Sequence, residues 1–322
     1  MSEAYAPRAL PRRAWAANPP LAGAAIVLLL ITLATLVGLI VDPGELTGQP
    51  TWAKPARFGF SFALYAVTLL WLLTFVRGHS RLVRVISWAT ATGVVAEVLW
   101  VAGSAMAGRT SHFNHSSSAS TALLVTMLTI IVVVGLMAVL TLGLLLRQRV
   151  EPPALAWALR LGLVLAVMGM ATGALMVTPN AAQEAAADLG QGMPIIGAHT
   201  VGLPDGGPGL PVTNFSTAAG DLRVPHFVGT HSLQALCLLG LLLTLGPRVL
   251  GQRHRTALVW IAAAFFLGLI ALLTWQARRA QPFTAPDART ATAYLVLTVA
   301  AAAAVTAVFR HARRATAARE TL

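Results

Sequence analysis

The chain has 322 residues, 57% of them hydrophobic and 11% charged, with a formal net charge of +12. A soluble domain carries about 25% charged residues, so this composition excludes a water-soluble fold and identifies a membrane protein. The positive charge invites a nucleic-acid partner, but its distribution over the loops, described below, removes that reading.

Eight continuous apolar runs are long enough to cross a hydrocarbon core, which needs about 20 residues of helix. They are Leu21 to Val41, Phe58 to Val76, Leu82 to Ala107, Thr121 to Leu146, Ala154 to Val177, His226 to Leu245, Ala257 to Trp275 and Ala291 to Phe309. None shows the alternation over about ten residues that a barrel strand requires, so helices that satisfy their own backbone are expected. The fold class is all-α, a polytopic bundle of about eight transmembrane helices. A basic segment 1–20 precedes a single transmembrane domain 21–309, and a basic tail 310–322 follows.

The first run comes after Arg8, Arg12 and Arg13, yet it is longer than a signal-peptide core, and VDPGELTG has no small-x-small cleavage site. It is read as a retained span. With the N-terminus in the cytoplasm, alternate loops collect Arg77, Arg81, Arg84, Arg147, Arg149, Arg253, Arg255, Arg310, Arg313 and Arg314, whereas the other loops balance their charges. The excess therefore follows the positive-inside rule. It predicts a plasma-membrane protein with both termini cytoplasmic and no nucleic-acid partner.

The second run opens with TWAKPARFGFSF, which holds Lys54, the only lysine in the chain. Pro55 fits the first turn of a helix. Lys54 is the expected partner of Glu97, the only carboxylate inside any expected span. An ionisable group at that depth costs about 2.5 to 3.5 kcal/mol on insertion scales, so it faces the bundle interior and has a partner or a role. On a helix Glu97 shares a face with Thr90, Gly93, Trp100 or Val101, and Ser104, a polar stripe leading toward Arg109 and His112.

HFNHS at 112–116 precedes the fourth run and is echoed by HFVGTHS at 226–232, although the internal spacing differs. The fifth run carries Gly162, Ala166, Gly169 and Gly173 on one stripe, the pattern by which helix backbones approach closely in a membrane. Residues 178–225 then form one long outer loop. AAQEAAADL within it is expected to be a short surface helix, and the whole is expected to be an ordered cap.

The sixth run begins GDLRVPHFVGTHSLQA, unusually polar for a helix entering a membrane. Of eight histidines, His112, His115, His199, His226 and His231 fall on the outer side, and neutral imidazole is the commonest metal ligand. His226 and His231 are five residues apart, about 140° around a helix, so they cannot chelate one ion. A metal site would need His231 with His112 or His115, and no HExxH or CxxC spacing exists. Cys237 is the only cysteine and lies within a run, which excludes an intrachain disulfide.

These residues converge on an expected polar site near the outer face. Glu97 and Lys54 are its catalytic candidates. His112, His115, Arg223, His226, His231 and Gln234 are the cofactor-binding candidates, with His112 and His231 as metal ligands. Arg57 and Asn114 complete the lining, and Asp221 is expected to hold Arg223 or a histidine nitrogen.

Three functions fit. The first is a membrane redox enzyme with haem or a transition metal. Its layout of eight spans with histidines near one set of helix ends resembles that of haem A synthases. That family's Glu-x-x-His is absent, since Trp100 stands where histidine is needed, so none of its residues carries over. The second is a small-solute or proton-coupled transporter using Glu97. The third is a lipid-binding or assembly subunit, in which Arg57, Arg223 and Lys54 hold an anionic headgroup. Membrane lipids are expected partners; the substrate and the oligomeric state are left open by the sequence.

Overall fold

The computed structural model describes residues 15–246 and 250–320; Arg8, Arg12, Arg13 and Arg248 lie outside them. The spanning helices are α1 (Pro19–Val41), α2 (Ala53–Leu73), α3 (Ser80–Met106), α4 (Ser118–Leu146), α5 (Pro153–Thr172), α7 (Arg223–Leu245), α8 (Gln252–Arg278) and α9 (Ala288–Glu320), with a short α6 (Ala181–Asp188) between α5 and α7. Among the described residues, eight helices are long and apolar enough to cross a membrane. The protein is an all-α, multi-pass membrane protein. The only sheet among the described residues pairs β1 (Thr200–Val201) with β2 (Gly220–Asp221), antiparallel.

Contacts divide the chain into two compact units. One comprises residues 1–144, 179–197 and 211–213; the other comprises 145–178, 198–210 and 214–322. Each holds four spanning helices.

In the first unit, Asn18 caps α1 by accepting from the Leu21 amide, and Pro19 and Pro20 fill the opening turn where no donor is needed. The Asn18 amide also donates to Ser87 Oγ at 2.6 Å, which fixes α1 against the start of α3. Gly59 brings α2 onto α1: a Cβ there would lie 2.5 Å from Thr32 Oγ1 and 3.4 Å from the Leu28 carbonyl. Leu28, Ala63, Val94, Val98 and Val134 from all four helices form one core cluster, flanked by Phe58, Phe62 and Tyr65. The loop 42–52 is tied by Trp52 Nε1, which donates to Asp42 Oδ2 at 2.7 Å.

In the second unit the expected glycine stripe of α5 faces α7. A Cβ on either Gly169 or Gly229 would overlap the other's backbone, Gly162 lies against Leu233, and Gly173 meets the His226 ring. Apolar contact continues into α8 through Leu165, Leu236, Ala263 and Ile270. Helix α9 joins α8 through Tyr294, whose hydroxyl donates to Gln276 Oε1 at 2.7 Å. Two arginines close helix ends whose carbonyls lack intrahelical partners. Arg160 donates to the Leu145 and Gln148 carbonyls, and Arg255 to the Leu250, Thr244 and Gly246 carbonyls.

The two units share a local plan. Each first helix opens on a Pro-Pro pair (19–20 and 152–153), and each second helix starts two residues before a proline that precedes a close-contact glycine by four. These are Pro55 with Gly59, and Pro225 with Gly229. The HFNHS and HFVGTHS echo does not fall on this plan, because His112 precedes the fourth helix of its unit and His226 lies in the second helix of the other.

The long connection is ordered, and α6 forms where a short helix was expected. Asn180 and Gln183 make a reciprocal capping box, and the Gln183 side chain also binds the Ile195 carbonyl and both polar groups of the Gly197 backbone.

Candidate functional site

In the first unit the site is built at one end of α2 and α3. Lys54 lies in the first turn of α2, and its Nζ donates to His112 Nδ1 at 2.9 Å; Ser111 Oγ is 2.9 Å from the same nitrogen. An ammonium can only donate, so His112 Nδ1 accepts and its proton resides on Nε2. Phe58 lies edge-on to the ring, 5.7 Å between centroids. Trp100 Nε1 donates to the Ser111 carbonyl at 3.2 Å, which anchors this segment to α3 one turn above Glu97. Arg57 binds Gln49 Oε1 and the Val212 carbonyl.

Glu97 is only 3% exposed, and its Oε1 has no hydrogen-bond partner. The expected ion pair with Lys54 is not formed. Lys54 sits at a helix end, whereas Glu97 lies about two and a half turns inside α3, so opposite charge alone misassigned the partner. Thr90 Oγ1 and Tyr65 OH are likewise buried without partners. Ser87, Thr90, Glu97 and Ser104 are all buried and recur at spacings of three, seven and seven, one side of α3. The stripe runs about 25 Å along the axis, through both halves of the helix. Sequence reasoning found its Ser104 half and missed Ser87, whose hydroxyl accepts from the Asn18 side chain.

His115 and Asn114 serve the loop. His115 donates its amide to the Pro194 carbonyl at 2.7 Å, and its ring lies 3.3 Å from Thr121 Oγ1. Asn114 Oδ1 accepts from the Ser116 amide and hydroxyl.

No family model, curated protein or solved structure matches the chain. The site therefore rests on its own geometry.

In the second unit, Arg223, the first residue of α7, pairs with Asp221 at 2.6 Å, so Asp221 holds the arginine and not a histidine. His226 Nδ1 donates to the Gly169 carbonyl at 2.9 Å, which leaves Nε2 as an acceptor. His231 stacks on Phe227 with centroids 4.4 Å apart, and it lies within hydrogen-bonding range of Gln234. Among the described residues no three His, Cys, Asp or Glu side chains gather as a metal-ligand group.

One feature escaped sequence reasoning. Asp205 receives the amides of His199 and Thr200, the Thr200 hydroxyl and, at 2.5 Å, His199 Nδ1. Burial pushes the Asp205 carboxyl upward, but the hydrogen bond and charge of His199, with the Thr200 and backbone donors, outweigh it and hold the group below its usual value. A depressed carboxyl contributes stability that is fully present above the unfolded value of about 3.9 and is lost as pH falls through the folded value. Protease resistance of the segment 199–210 is accordingly expected to persist from neutral pH to about pH 4 and to decline below it. Asp205→Asn should remove that resistance at neutral pH, and a variant cleaved as slowly as the parent would refute the clip.

Proposed function

We propose that the chain is a proton-coupled small-solute transporter in which Glu97 takes up and releases the proton. The observation that carries this reading is the buried Glu97 carboxyl with an unpartnered oxygen. In a hydrocarbon setting such a group needs a proton, a cation or a donor from a ligand. The polar stripe through α3 supports transport because it continues on both sides of Glu97, as a route across the membrane requires. Lys54 with His112 supplies a cationic group and an Nε2 donor at one mouth, suited to a solute with an acceptor or an anionic group. By the distribution of basic residues, the termini face the cytoplasm of the plasma membrane.

A hydrophobic carbodiimide, which attacks only protonated carboxyls, should label Glu97 and be traced there by peptide mass spectrometry. In proteoliposomes with a proton gradient, a panel of amino acids, amines and organic acids should give at least one current that Glu97→Gln abolishes. An unreactive Glu97 together with no solute current would sink the proposal.

His226 favours a second reading. With Nδ1 committed to the Gly169 carbonyl, its Nε2 is in the state in which histidine ligates a metal, held by the backbone bond such ligands use. His112 is not in that state, because Lys54 occupies its Nδ1. In a membrane redox enzyme His226 would hold the iron of a haem, and the haem would supply electron transfer. A visible Soret band lost in His226→Ala would displace the transporter reading.

A further inference from the structure

The second unit has a feature that neither function uses. Leu267, Ile270, Ala271, Thr274 and Trp275 follow one another at helical spacing along one side of α8, and with Met168 and Thr172 of α5 they wall an open cleft of about 560 Å³. The two threonine hydroxyls are turned onto their own helices, Thr172 to the Gly169 carbonyl and Thr274 to the Ile270 carbonyl, each at 2.7 Å. The wall therefore presents carbon.

Its end is polar and differentiated. The Arg279 guanidinium stacks on the Trp275 ring at 4.5 Å and is committed to Asp287 at 2.5 Å and to Thr290 at 3.1 Å. Arg278, beside it on the cleft, is exposed and has no carboxylate partner among the described residues. From Leu267 to Arg278 the trench extends about 16 Å, close to half of the roughly 30 Å hydrocarbon core. A tryptophan and an arginine at that height match the membrane interface.

We propose that this cleft is a binding site for one anionic phospholipid, with an acyl chain along the α8 wall and the phosphate on Arg278. The apolar length takes a chain and rejects a soluble anion, and the guanidinium favours an anionic headgroup through charge-assisted hydrogen bonds. The bound lipid covers carbon surface that α5 and α8 leave open between them.

Native mass spectrometry of the full chain in mild detergent, titrated with phosphatidylglycerol or phosphatidylcholine, tests the site. One phosphatidylglycerol should survive activation, and phosphatidylcholine should be retained far less. Arg278→Gln should weaken phosphatidylglycerol retention by roughly tenfold, the loss expected for one charge-assisted hydrogen bond. Ala271→Trp, an exposed change that fills the trench, should weaken it as much, whereas Leu295→Ala on the exposed face of α9 should leave it unchanged. Retention that survives both cleft variants overturns the site. Loss with Arg278→Gln but not Ala271→Trp, or competition by inorganic phosphate, would mean a headgroup or free-phosphate contact and would also overturn it.

Discussion

Gly229→Val should abolish the folded second unit. Gly169 and Gly229 face each other where α5 crosses α7, with no side chain on either to move aside, and a Cβ on one meets the backbone of the other. The contact is one point on a longer seam. Gly162 touches Leu233, and a Cβ on Gly240 would lie 2.5 Å from Ala158 Cβ, so α7 cannot shift at one glycine without losing the others. Overpacking costs about 1–3 kcal/mol where neighbours can adjust, and more where they cannot; this site belongs to the second case. Fluorescence-detected size exclusion should show loss of the monodisperse peak for Gly229→Val. Gly103→Ala, at a glycine with nothing within 4 Å, should elute and melt like the parent. A Gly229→Val protein with unchanged thermal midpoint would disprove the account of the seam.

Arg223→Met should cost about 3–5 kcal/mol, the effect of leaving a buried charge without its partner. Asp221 is 1% exposed, and its carboxylate accepts the Ser216 amide at 2.7 Å, the Arg223 amide at 2.9 Å and three hydrogen bonds from the guanidinium Nε and Nη2. The arginine also donates to the Asn214 carbonyl at 2.6 Å, so it joins the strand β2 and the start of α7 to the preceding turn. Replacing both partners, Asp221→Asn with Arg223→Met, should recover a large part of the loss, because no charge then remains buried. Thermal midpoints of the two single variants and the double variant measure this. A double variant less stable than Arg223→Met would show that the ion pair is not what fixes the turn.

The eight spans were legible because a membrane imposes length and apolarity on each helix independently of its neighbours. Helix boundaries were less so. The apolar run of the second span begins at Phe58, but α2 begins at Ala53, because the helix continues through the charged turn that holds Lys54 and Arg57. At the far end, α9 extends past Phe309 through a run of arginines for the same reason. Hydropathy reports where lipid begins, not where a helix does.

Within the site, Glu97 and the Thr90–Ser104 face could be found from helical periodicity alone. The Lys54 contact could not, because it depends on where the loop after α3 returns His112, a tertiary fact. The Asp205 clip was also hidden, since its donors are mostly backbone amides, which every sequence possesses. The glycine stripe on α5 was readable as packing, yet its partner on α7 was fixed only once Gly229 was seen beside Gly169.

The long connection also bears on synthesis. Residues 179–197 and 211–213 belong to the unit formed by the first four helices, although they are translated after the fifth. Ile196 and Pro194 hold the backbone of Phe113 and His115, and Val212 accepts from Arg57. A chain growing from its N-terminus at about 5–20 residues per second therefore has its first four helices made for several seconds before the strap that completes their loop end leaves the ribosome. The earlier half of the protein matures only after the later half has started.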